Sequence, residues 1–183
     1  MATLQNPGCL ALADALRYPA PGRLVALRDA VRALPDGEIK TALSAFLRSI
    51  EPLTLGAWEE LHTRTLDLDP PAAPYIGYQM WGDSYQRGAF MAQMNRALAE
   101  AGIDREGELP DYLGACLRYL AAAPQPLPEL VEVFGPAVDR MQKGLSEAQP
   151  DSPYLQLLRA ARAAAPEAAT QGTARESAKK EAA

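Results

Sequence analysis

Apolar residues return every three or four positions along most of this chain, which is the period of a helix with one buried face. In the first such run Asn6 stands as an N-cap before Pro7, and Cys9, Leu12, Ala13 and Leu16 share a face that ends at Tyr18-Pro19. A second run starts near Pro21 and carries Leu24, Leu27, Val31 and Leu34. Pro35-Asp36-Gly37 is a turn, from which Asp36 is expected to cap a third helix with Ile39, Leu43, Phe46, Leu47 and Ile50 on one side. Pro52 stops it, and Thr54 opens a fourth through Leu55, Trp58, Leu61, His62 and Thr65.

The pattern then breaks. Three prolines within Pro70–Pro74 exclude a helix there. Tyr75, Tyr78 and Trp81 follow at spacings of three, so on a helix they share one face, either as core or as the lining of a groove. Asp83, with Gln86 three residues on, predicts a capped long helix whose buried stripe is Phe90, Met94, Ala97, Leu98 and Ala101, with Gly102 as its stop. Leu109-Pro110-Asp111 predicts the next helix start, with Leu109, Tyr112, Leu113, Cys116, Leu117 and Leu120 on its apolar face. On that reading Asp111→Ala costs about 0.5–2 kcal/mol, as a lost helix-start residue does. From Leu127 to Leu145 the apolar phase continues through Gly135-Pro136, which predicts one kinked helix. A last helix opens near Pro150-Asp151 and carries Tyr154, Leu157, Leu158 and Ala161.

Composition strengthens the helical reading. The 183 residues hold 35 Ala and 25 Leu against 5 Val and 4 Ile, and the first two are the strong helix formers. The expected fold is all-α, a single-domain bundle of about eight to nine helices spanning residues 1–165. Residues 166–183 contain no Leu, Ile, Val or Phe and are expected to be a disordered Ala-rich, charged tail. The net charge of −5 argues against nucleic acid as a partner, because phosphate binding needs clustered Lys and Arg. No stretch approaches the roughly 18 apolar residues of a membrane span. No basic residue precedes Cys9–Ala13, so neither a secretory signal nor stable membrane insertion is expected. The expected location is the cytoplasm, with both thiols reduced.

Candidate chemistry is sparse. Two cysteines and one histidine cannot build a disulfide framework or a Cys/His zinc site. Neither glycine-rich phosphate loop occurs. Cys9 and Cys116 lie on apolar faces, where a thiol behaves as a small hydrophobe, and His62 reads as a packing or hydrogen-bonding residue. Glu59 and Glu60 diverge around their helix, and Pro70-Pro71 stand where a calcium loop at Asp67 and Asp69 would need glycine and more oxygen ligands. No catalytic residue, metal or cofactor is assigned. Two segments exceed what helix packing demands: the aromatic cluster, and Glu106-Gly107-Glu108-Leu109-Pro110-Asp111-Tyr112.

Together these segments resemble the NarJ/TorD family of redox-enzyme maturation chaperones. Glu106, three residues, then Pro110-Asp111 fit the family's motif; Tyr112 stands at its usual His position and Leu117-Arg118-Tyr119 where Leu-Glu-Phe is common. Thr65-Leu66-Asp67-Leu68, Pro74-Tyr75, Gly82-Asp83 and Arg87-Gly88-Ala89-Phe90 are similar to the NarJ branch, as is the opening from Leu12 to Pro19. The resemblance covers roughly residues 9–160. It implies a non-enzymatic chaperone that binds the N-terminal segment of a molybdenum-containing catalytic subunit and supports cofactor insertion. A chaperone for another molybdoenzyme, a helical adaptor or a small hydrolase are the alternatives, and the oligomeric state stays open, a homodimer included. The expected client site is Tyr75, Tyr78, Trp81, Asp83, Arg87, Glu106, Pro110, Asp111 and Tyr112. Tyr78 and Trp81 are expected as its walls, and Asp83, Glu106 and Asp111 as its charged rim.

Overall fold

Asn6 does cap the first helix: its side-chain oxygen accepts the Cys9 amide at 3.2 Å, ahead of α1 (Pro7–Ala15). The computed structural model describes residues 6–68, 70 and 72–166, so most of the tail expected at 166–183 lies outside the described residues. Among the described residues there are nine α-helices and no strand; the only sheet-like pairing is one isolated bridge. The all-α single-domain bundle read from the hydrophobic period is the observed class.

Along the chain come α2 (Arg23–Ala33), α3 (Glu38–Ile50) and α4 (Leu55–His62), the last capped by Thr54 and running into one π-helical turn, Thr63–Asp67. After the proline segment stand α5 (Ile76–Trp81), α6 (Tyr85–Glu100), α7 (Leu113–Ala122), α8 (Pro128–Ala148) and α9 (Tyr154–Ala163). The core is built where α1 packs on α7 and where α9 lies between α3 and α8. Both helices of the first pair bury small residues, Ala11 and Ala15 on α1 and Ala115 and Cys116 on α7. Phe46, Phe90 and Phe134 are fully buried at 0% exposure, each contributing roughly 1.5–3 kcal/mol over its exposed state. Helix α8 runs unbroken through Pro136, with Phe134, Val138, Met141 and Leu145 buried along one stripe.

Several boundaries differ from the pattern. Gly37, not Asp36, is the N-cap of α3, because the Asp36 carboxylate is taken up by the Lys40 ammonium at 3.0 Å. Ser84, not Asp83, caps α6: its Oγ accepts the Arg87 amide at 3.3 Å, and Gln86 then falls one position short of a capping box. Ala101 lies on the exposed side as the C-cap of α6, and Gly102, at φ 67°, provides the left-handed stop. Pro110 and Asp111 do not open a helix. The Asp111 carbonyl accepts the Ile76 amide and the Leu113 amide donates to the Pro74 carbonyl, both at 2.8 Å. Those peptide groups are committed to a neighbouring segment, so α7 cannot begin before Leu113, and Leu109 is left 45% exposed.

Candidate functional site

The two unexplained segments meet. Tyr75 and Tyr112 form the isolated antiparallel bridge, their rings 5.8 Å apart between centroids. The Tyr75 hydroxyl donates to Glu108 Oε2 at 3.1 Å, and the Tyr112 hydroxyl donates to the Leu16 carbonyl at 2.8 Å at the end of α1. Burial, then the nearby Glu108 carboxylate, push the Tyr75 phenol up to about 12. Burial raises that of Tyr112 as well. Both phenols are therefore hydrogen-bond donors at neutral pH and not proton carriers.

Arg87 on α6 fastens the junction from below. Its Nε donates to Asp111 Oδ2 at 2.9 Å and its Nη1 to Asp83 Oδ1 at 2.8 Å. Its guanidinium lies 5.7 Å from the Tyr75 ring centroid and 5.2 Å from that of Tyr78. Burial acts to lower the Arg87 pKa, but the Asp111 and Asp83 contacts outweigh it and the net shift is upward. Asp111 is 0% exposed and its Oδ1 has no partner among the described residues, so this is an interior ion pair and not charge on a rim. Gly77 makes room for it, since a Cβ there would stand 2.9 Å from Asp111 Oδ2 and 3.1 Å from Phe90.

The aromatic cluster divides between core and surface. Trp81 packs half-buried on Phe90, with centroids 5.3 Å apart, while Tyr78 is 42% exposed. Pro110 is buried beneath the loop. Glu106 sits at φ 56°, a left-handed conformation that favours glycine, held by Arg17 Nη2 at 2.8 Å and Arg118 Nη2 at 3.7 Å.

Beside this junction opens a polar cleft of about 500 Å³, lined by Arg17, Tyr18, Arg23, His62, Asp67 and Arg118 together with the bridged tyrosines. Burial and then the Arg23 charge lower the His62 pKa to about 4. His62 Nδ1 lies 2.9 Å from the Tyr154 hydroxyl, which also accepts from Trp58 Nε1 at 3.3 Å. His62 Nδ1 and the Tyr154 hydroxyl thus share one hydrogen bond, and Nε2 on the other side of the ring lies 3.9 Å from Asp67 Oδ1. Sequence spacing could not have found this cleft, because Arg17, Arg23, His62 and Arg118 come from four separated stretches.

Neither cysteine is placed in the cleft as a nucleophile. Burial pushes the Cys9 thiol up to about 11 and raises that of Cys116, and both are buried. No group of three or more metal-ligating side chains occurs among the described residues. No helix among them is long and apolar enough to cross a membrane.

Fold and site thus define an all-helical bundle that presents a cleft beside two interlocked loops. The nitrate reductase delta subunit family matches residues 32–149, more than half of the chain, and the chain belongs to that family, the NarJ branch of the NarJ/TorD chaperones. No curated protein matches it.

Proposed function

We propose that this protein is a client-specific cytoplasmic chaperone. It binds the N-terminal segment of the catalytic subunit of a nitrate-reductase-like molybdoenzyme and supports molybdenum cofactor insertion and complex assembly. The observation that carries the reading is the family match across residues 32–149, which spans both bridged loops and the whole of α6. The geometry supports it. Tyr78 offers an exposed aromatic face steadied by the Arg87 guanidinium, at the edge of a junction that interior hydrogen bonds hold rigid. An amphipathic client helix docks on such a surface by its apolar face. The net charge of −5 favours a basic leader.

The test is calorimetric titration of a synthetic peptide carrying the N-terminal segment of the nitrate reductase catalytic subunit encoded in the same genome. Saturable binding is expected. Tyr78→Ala is the informative variant, because Trp81→Ala also removes packing against Phe90. An exposed aromatic anchor is worth about 2 kcal/mol, so Tyr78→Ala should weaken the peptide roughly thirtyfold with circular dichroism unchanged. A peptide that fails to bind the wild-type protein overturns the N-terminal reading. A folded Tyr78→Ala protein with undiminished affinity moves the groove elsewhere.

A further inference from the structure

The cleft beside the bridged loops contains more cationic hydrogen-bonding capacity than the protein itself uses. Arg23 opens α2 behind Gly22, which sits at φ 79°, and its side chain lines the cleft. Its Nε is buried with no acceptor among the described residues. Burial and the neighbouring Arg17 both disfavour its charge, and Asp14 and Glu106 compensate only from a distance. Arg118 Nε, from α7, is likewise buried with no acceptor, and its nearest carboxylate contact, with Glu106, is long at 3.7 Å. That carboxylate is already engaged by Arg17 at 2.8 Å.

Of the carboxylates that line the cleft, Glu106 stands among the arginines, while Asp67 and Glu108 lie by the bridged tyrosines. Asp67 and Glu108 both act on Tyr75 and Tyr112, and Glu108 receives the Tyr75 hydroxyl. Arg23 acts on His62. Three guanidinium groups, from the turn after α1, from α2 and from α7, thus share one carboxylate, Glu106, at their end of the cleft.

We propose that the guanidinium end of this cleft binds an oxyanion, a carboxylate or phosphate group held by Arg23 and Arg118. The planar N–H fork of an arginine matches the paired oxygens of those groups, and a charge-assisted bond supplies an acceptor that the fold itself leaves out. A cleft of about 500 Å³ has room for a small molecule or for a side chain of a bound polypeptide. Arg23 precedes the span matched by the family and Arg118 lies within it, and the site is argued from their geometry and not from the client reading.

The chain's single histidine makes the test direct, because His62 lines the same cleft. Its ring resonances are followed by NMR while inorganic phosphate, or the α-amide of N-acetylglutamate, is added at constant ionic strength against a chloride control. A saturable displacement of the His62 signals by either probe is expected, weakened at least about tenfold in Arg23→Gln and in Arg118→Gln. Saturation by phosphate assigns the site to a phosphate-bearing small molecule. Saturation by the glutamate analogue alone assigns it to an acidic side chain of a polypeptide. Signals that neither probe moves saturably in the wild-type protein overturn the proposal, whatever the variants do. So does undiminished affinity in either variant once circular dichroism shows it folded, Arg118→Gln serving if Arg23→Gln does not fold.

Discussion

At the scale of single residues, Asp111 and Arg87 are worth more to the fold than a helix start would be. The carboxylate is 0% exposed and the guanidinium side chain 11% exposed, so removing one leaves the other charged in the interior. Asp111→Ala is therefore expected to cost about 3–5 kcal/mol, above the range for a lost cap. Urea denaturation of the variant measures it, and a loss below about 1 kcal/mol would mean that Asp83 alone suffices for Arg87. Asp111→Asn keeps the shape and one acceptor and should lose less. Gly77 tests the same junction from the other side. A methyl group there meets Asp111, Arg87 and Phe90 at 2.9–3.1 Å, none of them free to retreat, so Gly77→Ala should destabilise by about 1–3 kcal/mol despite its better helix propensity. A neutral or stabilising Gly77→Ala would show that α5 can shift outward at little cost.

At the scale of elements, helix ends separate what local sequence decides from what it does not. The Asn6 and Thr54 caps, the Gly102 stop and the passage of α8 through Pro136 were all legible, because each depends on side chains within one or two turns. The cap of α6 was missed by one residue. Asp83 and Ser84 are both good caps, and Arg87 decides between them by drawing the Asp83 carboxylate to its guanidinium while its amide goes to Ser84. Ser84→Ala should accordingly cost about 0.5–2 kcal/mol in thermal denaturation, and Asp83→Ala less, as an exposed ion pair does. The reverse order would place the cap at Asp83 after all. The start of α7 was illegible for a different reason. Its position follows from hydrogen bonds to Pro74 and Ile76, more than thirty residues away, which no local motif encodes. The candidate site shows the same division. Its two segments stood out because helix packing left them unexplained, whereas no local spacing links Arg17, Arg23 and Arg118, which only the fold brings into one cleft.

At the scale of the whole molecule, His62 links stability to pH. It is 3% exposed, and burial together with the Arg23 charge lowers its pKa from 6.5 to about 4. Between those values the unfolded chain takes up a proton that the folded chain refuses. Stability is therefore full above about pH 6.5 and falls as the pH drops toward 4, by roughly 3 kcal/mol from this group, at about 1.4 kcal/mol per pH unit. Asp67, whose pKa burial raises, acts with the opposite sign: its protonation favours the folded state and offsets part of the loss within the carboxylate range. His62→Gln separates the two. The amide keeps a polar partner near Tyr154 but cannot titrate, so the variant should lose little stability on going from about pH 7 to about pH 5, a range in which the wild-type protein loses roughly 2 kcal/mol. Urea midpoints of both proteins at the two pH values measure the difference. Equal losses in the two proteins would mean that other groups carry the pH dependence and that His62 titrates alike in the folded and the unfolded chain.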